Sequence, residues 1–249
     1  MSTVFITGAA SGIGRALAKT YAAPGVVLGL ADVQLDTLAF VAESCQLLGA
    51  RVLCYAFDVR DPAAARQAAA AFHVEASQVD IVIANAGVCH WKYPVELQAE
   101  DVIELLDINL KGVINTLVAF LPIVTTQRAG QLVAISSISA FLDLPCGMYA
   151  VSKAGVLNYM NSLRMDVEPY GISVTTICPG FIATAMAANA AVWYPFLLSS
   201  SKLAGQAKRA IKQRQQTVIL PWQWRLLLPF LRLVPNRFVS WVAQQLRQR

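Results

Sequence analysis

Short apolar runs alternate with longer amphipathic or alanine-rich segments over most of the chain. Val4–Ile6, Val26–Leu30, Val52–Phe57, Ile81–Ala84, Leu132–Ile135 and Ile172–Ile177 each read as a strand. Apolar side chains follow one another in these runs without strict alternation, the mark of a strand covered on both faces. Between them, Arg15–Tyr21, Leu35–Leu48, the stretch from Asp61-Pro62 to Glu75, Glu100–Phe120 and Gly147–Glu168 read as helices. Asp61 followed by Pro62 is a cap with proline in the first turn, and Pro169 and Gly171 end the last helix. This β-α-β rhythm predicts an α/β fold, a doubly wound parallel sheet with helices on both faces. Right-handed crossovers then gather the C-terminal ends of the strands, and any ligand, along one edge. No repeat or linker divides the chain, so one domain is expected over 1–220, followed by an extension over 221–249.

Composition supports a buried core and excludes several classes. Hydrophobic residues make up 56% of the 249 residues and charged residues 14%, which argues against disorder. No apolar run reaches the ~18 uncharged residues of a spanning helix. Met1-Ser2-Thr3 runs into the first strand without the basic start of a signal peptide. The five cysteines (45, 54, 89, 146 and 178) have neither C-x-x-C nor metal-ligand spacing, and reduced thiols in a cytoplasmic protein are expected. Only His73 and His90 are present, which argues against a zinc site or a histidine-based triad, so no metal is expected. Charge is unevenly placed: all 15 acidic residues lie at or before Glu168 beside ten basic ones, and the remaining 81 residues carry ten basic residues and no acid.

Polar residues with chemical potential fall at strand ends. Thr7-Gly8-Ala9-Ala10-Ser11-Gly12-Ile13-Gly14 joins the first strand to the first helix, and such a glycine turn lets backbone approach a pyrophosphate that the helix N-terminus attracts. Asp32 ends the second strand, where a carboxylate suits ribose hydroxyls and repels a 2′-phosphate, and neither Ser11 nor Val33 is basic. That favours NAD over NADP; the competing role for Asp32 is a helix cap. Asp58-Val59 ends the third strand, where it would flank adenine, and Asn85-Ala86-Gly87 ends the fourth. Ser136-Ser137 follows the fifth strand, and Tyr149-Ala-Val-Ser-Lys153 puts a phenol and an ammonium one helical turn apart. A unit charge ~4 Å from a phenol is worth about 4 kcal/mol at an effective dielectric near 20, enough to bring a tyrosine toward neutrality. A phenol tuned this way can exchange a proton with an alcohol or carbonyl oxygen.

Taken in order, T-G-x-x-x-G-x-G, D-V, N-A-G, N, S, Y-x-x-x-K and P-G-x-x-x-T resemble the short-chain dehydrogenase/reductase family over Val4 to about Thr184, and more loosely to Leu220. The resemblance implies a Rossmann-type fold and NAD(P)-dependent hydride transfer between nicotinamide and a carbinol carbon. It implies Tyr149 as general acid/base and Ser137 as the hydrogen-bond partner of the substrate oxygen. Lys153 would lower the tyrosine pKa and bind the nicotinamide ribose, and Asn109 would distort its helix and help hold a water. Cofactor contacts are implied for Gly8, Ser11, Gly12, Ile13, Gly14, Asp32, Asp58, Val59, Asn85, Ala86 and Gly87. Tyr149, Lys153, Pro179, Gly180, Ile182 and Thr184 complete that set. Ser137 stands 12 residues before Tyr149 where 13 is commoner, with Ser136 and Ser139 as alternatives, and Ala84 stands where a second asparagine is frequent.

Substrate contacts are expected from Ser137, His90, Trp91 and Met148, within loops that also hold Cys89, Phe141, Leu144, Trp193, Tyr194 and Phe196. Their apolar, aromatic character suits a hydrophobic alcohol or ketone. Beyond Ile219 the stretch from Trp222 to Pro235 is apolar and aromatic with interspersed arginines, and Asn236 would cap a further amphipathic helix. Such a segment suits an anionic membrane surface, so the protein is expected to be cytoplasmic with peripheral membrane contact. Basic residues interleaved with bulky apolar ones do not form the exposed stripe of a nucleic-acid binder. The helices around Ile103–Phe120 and Val151–Asp166 resemble the pair that forms family dimers, so a homodimer or homotetramer is expected. The competing functions are an NADP-preferring carbonyl reductase and a cofactor-binding sensor or scaffold without turnover.

Overall fold

The computed structural model describes residues 2–90, 96–142, 147–184 and 195–231. The strands are β1 (Ser2–Thr7), β2 (Val26–Asp32), β3 (Arg51–Ala56), β4 (Ile81–Ala84), β5 (Gln131–Ile135), β6 (Ser173–Pro179), β7 (Ile182–Ala183), β8 (Leu198–Ser199) and β9 (Thr217–Leu220). The α-helices are α1 (Gly12–Tyr21), α2 (Leu35–Leu47), α3 (Pro62–Ala76), α4 (Ala99–Leu106), α5 (Gly112–Gln127), α6 (Gly147–Val167), α7 (Ser200–Lys212) and α8 (Gln223–Leu231). Seven strands form one sheet in the order β3-β2-β1-β4-β5-β6-β9, parallel throughout. The order reverses between β1 and β4, which opens a ligand crevice beyond their C-terminal ends.

Apolar side chains cover both faces of the sheet. On one face Ile6, Leu28, Leu30, Ile83, Val133 and Ile177 pack with Leu17 of α1, Leu38 of α2 and Leu203 and Ile211 of α7. On the other, Phe5, Val82 and Leu132 meet Phe72 of α3, Leu117 and Phe120 of α5 and Met160 of α6. Phe5 lies 4.7 Å from the Phe120 ring and 5.3 Å from the Phe72 ring. At a few kcal/mol per buried large apolar side chain, these two layers hold the strand ends in register. The Asp61 carboxylate accepts hydrogen bonds from the backbone N–H groups of Ala63 and Ala64, so the local signal at Asp61-Pro62 starts α3 directly.

Three elements depart from the sequence reading. The single helix expected over Glu100–Phe120 is α4, a π-helical turn at Asp107–Lys111, and α5. The combined span Ala99–Gln127 is long and apolar enough to cross a membrane by length and composition, yet it packs on the sheet through Val113, Leu117, Phe120 and Val124. The sheet also has a seventh strand, β9, whose apolar run of four residues is too short to stand out from a loop. Finally, β7 and β8 pair as a small separate ribbon beside the end of β6. Trp91, Tyr93, Leu144, Trp193, Tyr194 and the helix expected from Asn236 lie outside the described residues.

Candidate active site

The nucleotide end is built from backbone. Gly8 adopts φ +66° and Gly12 φ +52°, the left-handed conformations that glycine enters without steric cost. A Cβ on Gly14 would sit 2.0 Å from the Gly8 carbonyl oxygen, so α1 can start this close to β1 only with glycine there. The Asn85 amide Nδ2 donates to the carbonyls of Thr7 (2.9 Å) and Gly8 (3.1 Å), tying the end of β4 to the turn. The Thr7 hydroxyl accepts from the backbone N–H groups of Asn85 and Ala86.

This turn suits a dinucleotide. Ser11 caps α1 without a side-chain cap bond, and the first turn of the helix carries no acidic residue, which leaves its N-terminal N–H groups suited to an anion. From Gly12 the nearest atom that a Cβ would meet is Thr184 Cγ2, 3.6 Å away, which places Thr184 opposite the turn. The backbone N–H of Ala10 donates to one Asp32 carboxylate oxygen (2.9 Å) and that of Gln34 to the other (3.0 Å). Asp32 is therefore pinned at the end of β2 beside the turn, while the cap position of α2 belongs to Gln34. Asp58 lies two residues beyond β3, which stops at Ala56 and not at Asp58-Val59, with its carboxyl held below the usual range by its hydrogen bond to the Arg60 side chain. Val59 is buried against Gly112.

The reaction end is built from side chains. Asn109 lies in the π turn, fully buried; its Oδ1 accepts from Val88 N (2.8 Å) and its Nδ2 donates to Val88 O (2.9 Å) and Ser152 Oγ (3.2 Å). Ser152 donates in turn to the Tyr149 carbonyl at 2.7 Å. Lys153, 3% exposed, donates from Nζ to the Ile135 carbonyl (3.1 Å) and sits 5.7 Å from the centre of the Tyr149 ring. A Cβ on Gly87 would fall 3.1 Å from Asn109 Oδ1 and 3.3 Å from Lys153 Nζ, so the missing side chain leaves a gap between those two groups.

The two serines of the pair separate cleanly. Ser136 turns inward, its hydroxyl donating to the Lys153 carbonyl at 2.8 Å, and so fastens α6 to the end of β5. Ser137 caps the short 3-10 turn Ile138–Phe141, its oxygen accepting from Ser139 N at 3.1 Å. The Ser139 hydroxyl is buried and has no protein hydrogen-bond partner among the described residues.

Lys153 stays mostly protonated at neutral pH, but its charge is less secure than spacing alone implies. Burial brings its pKa down from 10.5 to about 8, against smaller opposing influences from Cys89 and Cys178. Cys178 is itself pushed up to about 12 by burial, so near neutral pH it is a thiol and supplies no counter-charge. The enclosing groups come from β4, β5 and β6, which the helix spacing could not reveal.

Met148 lines a largely apolar cleft of about 500 Å³ between α4 and α6, with Leu97, Gln98, Ala99, Val102, Gly147 and Val151, and neither Ser137 nor Tyr149 belongs to its lining. His90 pairs with Glu104 of α4 through Nε2 at 2.7 Å, the contact the structure gives that ring. Pro179 and Gly180 follow from β6, with Gly180 N donating to Leu220 O at 2.7 Å, and Ile182 is buried in β7. Thr7, Ser152 and Trp224, which packs on Gly180, were not singled out from the sequence. Ser152 had a signal, since it lies three residues after Tyr149 on the same helix.

A glycine turn facing the ends of β4, β5 and β6, with a tyrosine and a buried lysine between them, defines a dinucleotide-dependent oxidoreductase. The sequence profile described as short chain dehydrogenase matches residues 2–195. An uncharacterized oxidoreductase of Myxococcus xanthus is 32% identical over 246 residues, covering 98% of this chain and 97% of that protein. Among solved structures, a short-chain dehydrogenase/reductase from Burkholderia phymatum in complex with NAD is 26% identical with a TM-score of 0.83, covering 93% of this chain and 92% of that one. A short-chain dehydrogenase from Sphingobium yanoikuyae in complex with NADPH is 26% identical with a TM-score of 0.81, covering 91% and 92%. The chain belongs to the short-chain dehydrogenase family and is an NAD(P)-dependent oxidoreductase.

Proposed function

We propose that this protein oxidises a hydrophobic secondary alcohol with NAD, or reduces the corresponding ketone, using Tyr149 as general acid/base. The observation that carries the reading is the meeting of Asn109 and Lys153 at Gly87 beyond β4, with the Tyr149 ring beside Lys153 and Ser137 following β5 directly. The chemistry a bound nicotinamide supplies is acceptance or donation of a hydride. In the oxidation direction, Tyr149 takes the hydroxyl proton as the carbinol C–H bond breaks, and Ser137 holds the substrate oxygen. Lys153 stabilises the phenolate, and the gap at Gly87 between Lys153 Nζ and Asn109 Oδ1 offers room for a relay water. Two features support the finer choices. The pinned carboxylate of Asp32 favours ribose hydroxyls over a 2′-phosphate. The apolar and aromatic residues in the loops beyond the strand ends, Phe141 and Met148 among them, favour an apolar substrate.

Tyr149→Phe tests the assignment, with a panel of aliphatic, terpenoid and sterol alcohols and ketones followed by nicotinamide absorbance. Loss of a positioned acid/base costs on the order of 10²–10⁴ in turnover, while NAD affinity by calorimetry should stay within about twofold. Turnover surviving in the phenylalanine variant would remove Tyr149 from the chemistry. An intact wild type that binds NAD but turns over nothing in the panel would favour the sensor reading.

A further inference from the structure

The described part of the C-terminal extension is a helix with an unusual outer surface. Helix α8 rests on the body through Trp224 and Leu228, which are buried and one turn apart. Trp224 sits between the rings of Phe181 (5.8 Å) and Phe196 (5.7 Å), against Gly180 in the turn after β6. The opposite side presents Trp222, in the turn just before the helix, then Leu226 and Phe230, at a spacing of four residues, with exposures of 63%, 60% and 68%. Arg225 shares that exposed face. Three large apolar side chains in one outward stripe are more than the scattered single residues of an ordinary soluble surface.

Charge indicates what covers the stripe. After Glu168 the chain carries no acidic residue and ten basic ones. Lys202, Arg209, Lys212 and Arg214, on or just after α7, are exposed. A tryptophan, leucine and phenylalanine ridge beside arginine, in an acid-free region, fits an interface that is apolar in depth and anionic at its surface. We infer that α8 docks this protein on a bilayer carrying anionic lipid headgroups, with Trp222, Leu226 and Phe230 entering the acyl boundary. Because Trp224 anchors the same helix on the turn after β6, docking sets the crevice near the lipid. An apolar alcohol dissolved in the bilayer then has a short path to the site, a consequence that rests on the substrate class proposed above.

The test is flotation of the full chain with vesicles of phosphatidylcholine alone or with about a third phosphatidylglycerol, at low and high salt. Binding to the anionic vesicles, weaker at high salt, is expected, and Leu226→Glu/Phe230→Glu should reduce it at least about tenfold. Both positions are exposed, so the variant should keep the wild-type circular dichroism and NAD affinity, which separates failure of docking from failure of the oxidoreductase reading. Absence of flotation in the wild type would overturn the inference, as would equal flotation of the variant. Dissociation of an oligomer by the same substitutions, without a change in flotation, would assign the stripe to a second copy and also overturn it.

Discussion

The two ends of the candidate site are held by different materials. At the nucleotide end, Gly8, Gly12 and Gly14 supply backbone shape, and Asn85 and Asp32 fix that shape through bonds to peptide groups. At the reaction end, Asn109, Ser152 and Lys153 are buried polar side chains whose partners come from β4, β5 and α6. A backbone turn is determined by hard contacts and tolerates almost no added atom. A buried polar cluster is determined by satisfied hydrogen bonds and can hold a costly charge, so it carries stored electrostatic free energy that a glycine turn does not. Substitutions at the first end should damage folding and binding together; at the second they should separate stability from turnover.

The largest effect should come from Gly14→Val. Its Cβ would lie 2.0 Å from a backbone oxygen, and no rotamer can relieve a clash at Cβ itself. A cost above ~3 kcal/mol is expected, or roughly 6–12 °C in melting temperature for a chain of this size, with cofactor affinity lost as well. Melting curves and calorimetry check both. A variant that melted like the wild type would mean that the turn yields, and the contrast between rigid backbone and tunable side chains would fail at its first term.

Lys153→Met tests the other end, and the sign differs. Burial lowers the Lys153 pKa from 10.5 to about 8, so below pH 8 the folded state carries a charge it disfavours relative to the unfolded chain. The methionine variant removes that penalty. At ~1.4 kcal/mol per pKa unit, less about 1 kcal/mol for the lost bond to Ile135 O, it should be more stable at pH 7 by roughly 2 kcal/mol. Between pH 8 and the unfolded value the unfolded state binds more protons, so wild-type stability rises with pH and the advantage of the variant shrinks. Denaturation at pH 7 and pH 9.5 measures this, and turnover should be lost at both. A variant less stable than wild type at pH 7 would show that the ammonium is held by favourable contacts after all.

The same contrast explains what could be read without coordinates. The glycine turn and the Tyr149/Lys153 pair are local, since their geometry follows from spacing within one turn or one helix. Six strands of the sheet were equally visible: burial on both faces leaves continuous apolar runs in five of them, and the half-exposed edge strand β3 still carries the run Val52–Ala56. The distortion of the helix at Asn109 was implied by the family resemblance and is present as the π turn, whereas spacing alone did not show it, since Asn109 bonds to Val88 and Ser152, 21 and 43 residues away in sequence. The depressed pKa of Lys153 was hidden for the same reason, since it comes from burial beneath the ends of three strands. Four-residue β9 needed β6 as a neighbour to be a strand at all. Trp224 read as part of an amphipathic tail, and only the packing shows it filling the space above Gly180.

Asp32 belongs to both materials, and it gives the smallest and sharpest test. Its two oxygens accept backbone N–H groups from Ala10 and Gln34, so it holds the turn, yet it remains a carboxylate at the position where ribose hydroxyls would arrive. Asp32→Ala removes the bonds and the charge, and NAD affinity should fall about tenfold, ~1.4 kcal/mol. Asp32→Asn removes the charge and keeps one of the two acceptors, since its amide Nδ2 cannot accept the second backbone N–H. If charge repels the 2′-phosphate, the asparagine variant should bind NADP several-fold better than wild type while NAD weakens little. If Asp32 acts only through the turn, the asparagine and alanine variants should each weaken both nucleotides by the same factor and leave the wild-type preference unchanged. Calorimetry with both nucleotides on the three proteins therefore distinguishes a backbone clasp from a selectivity residue.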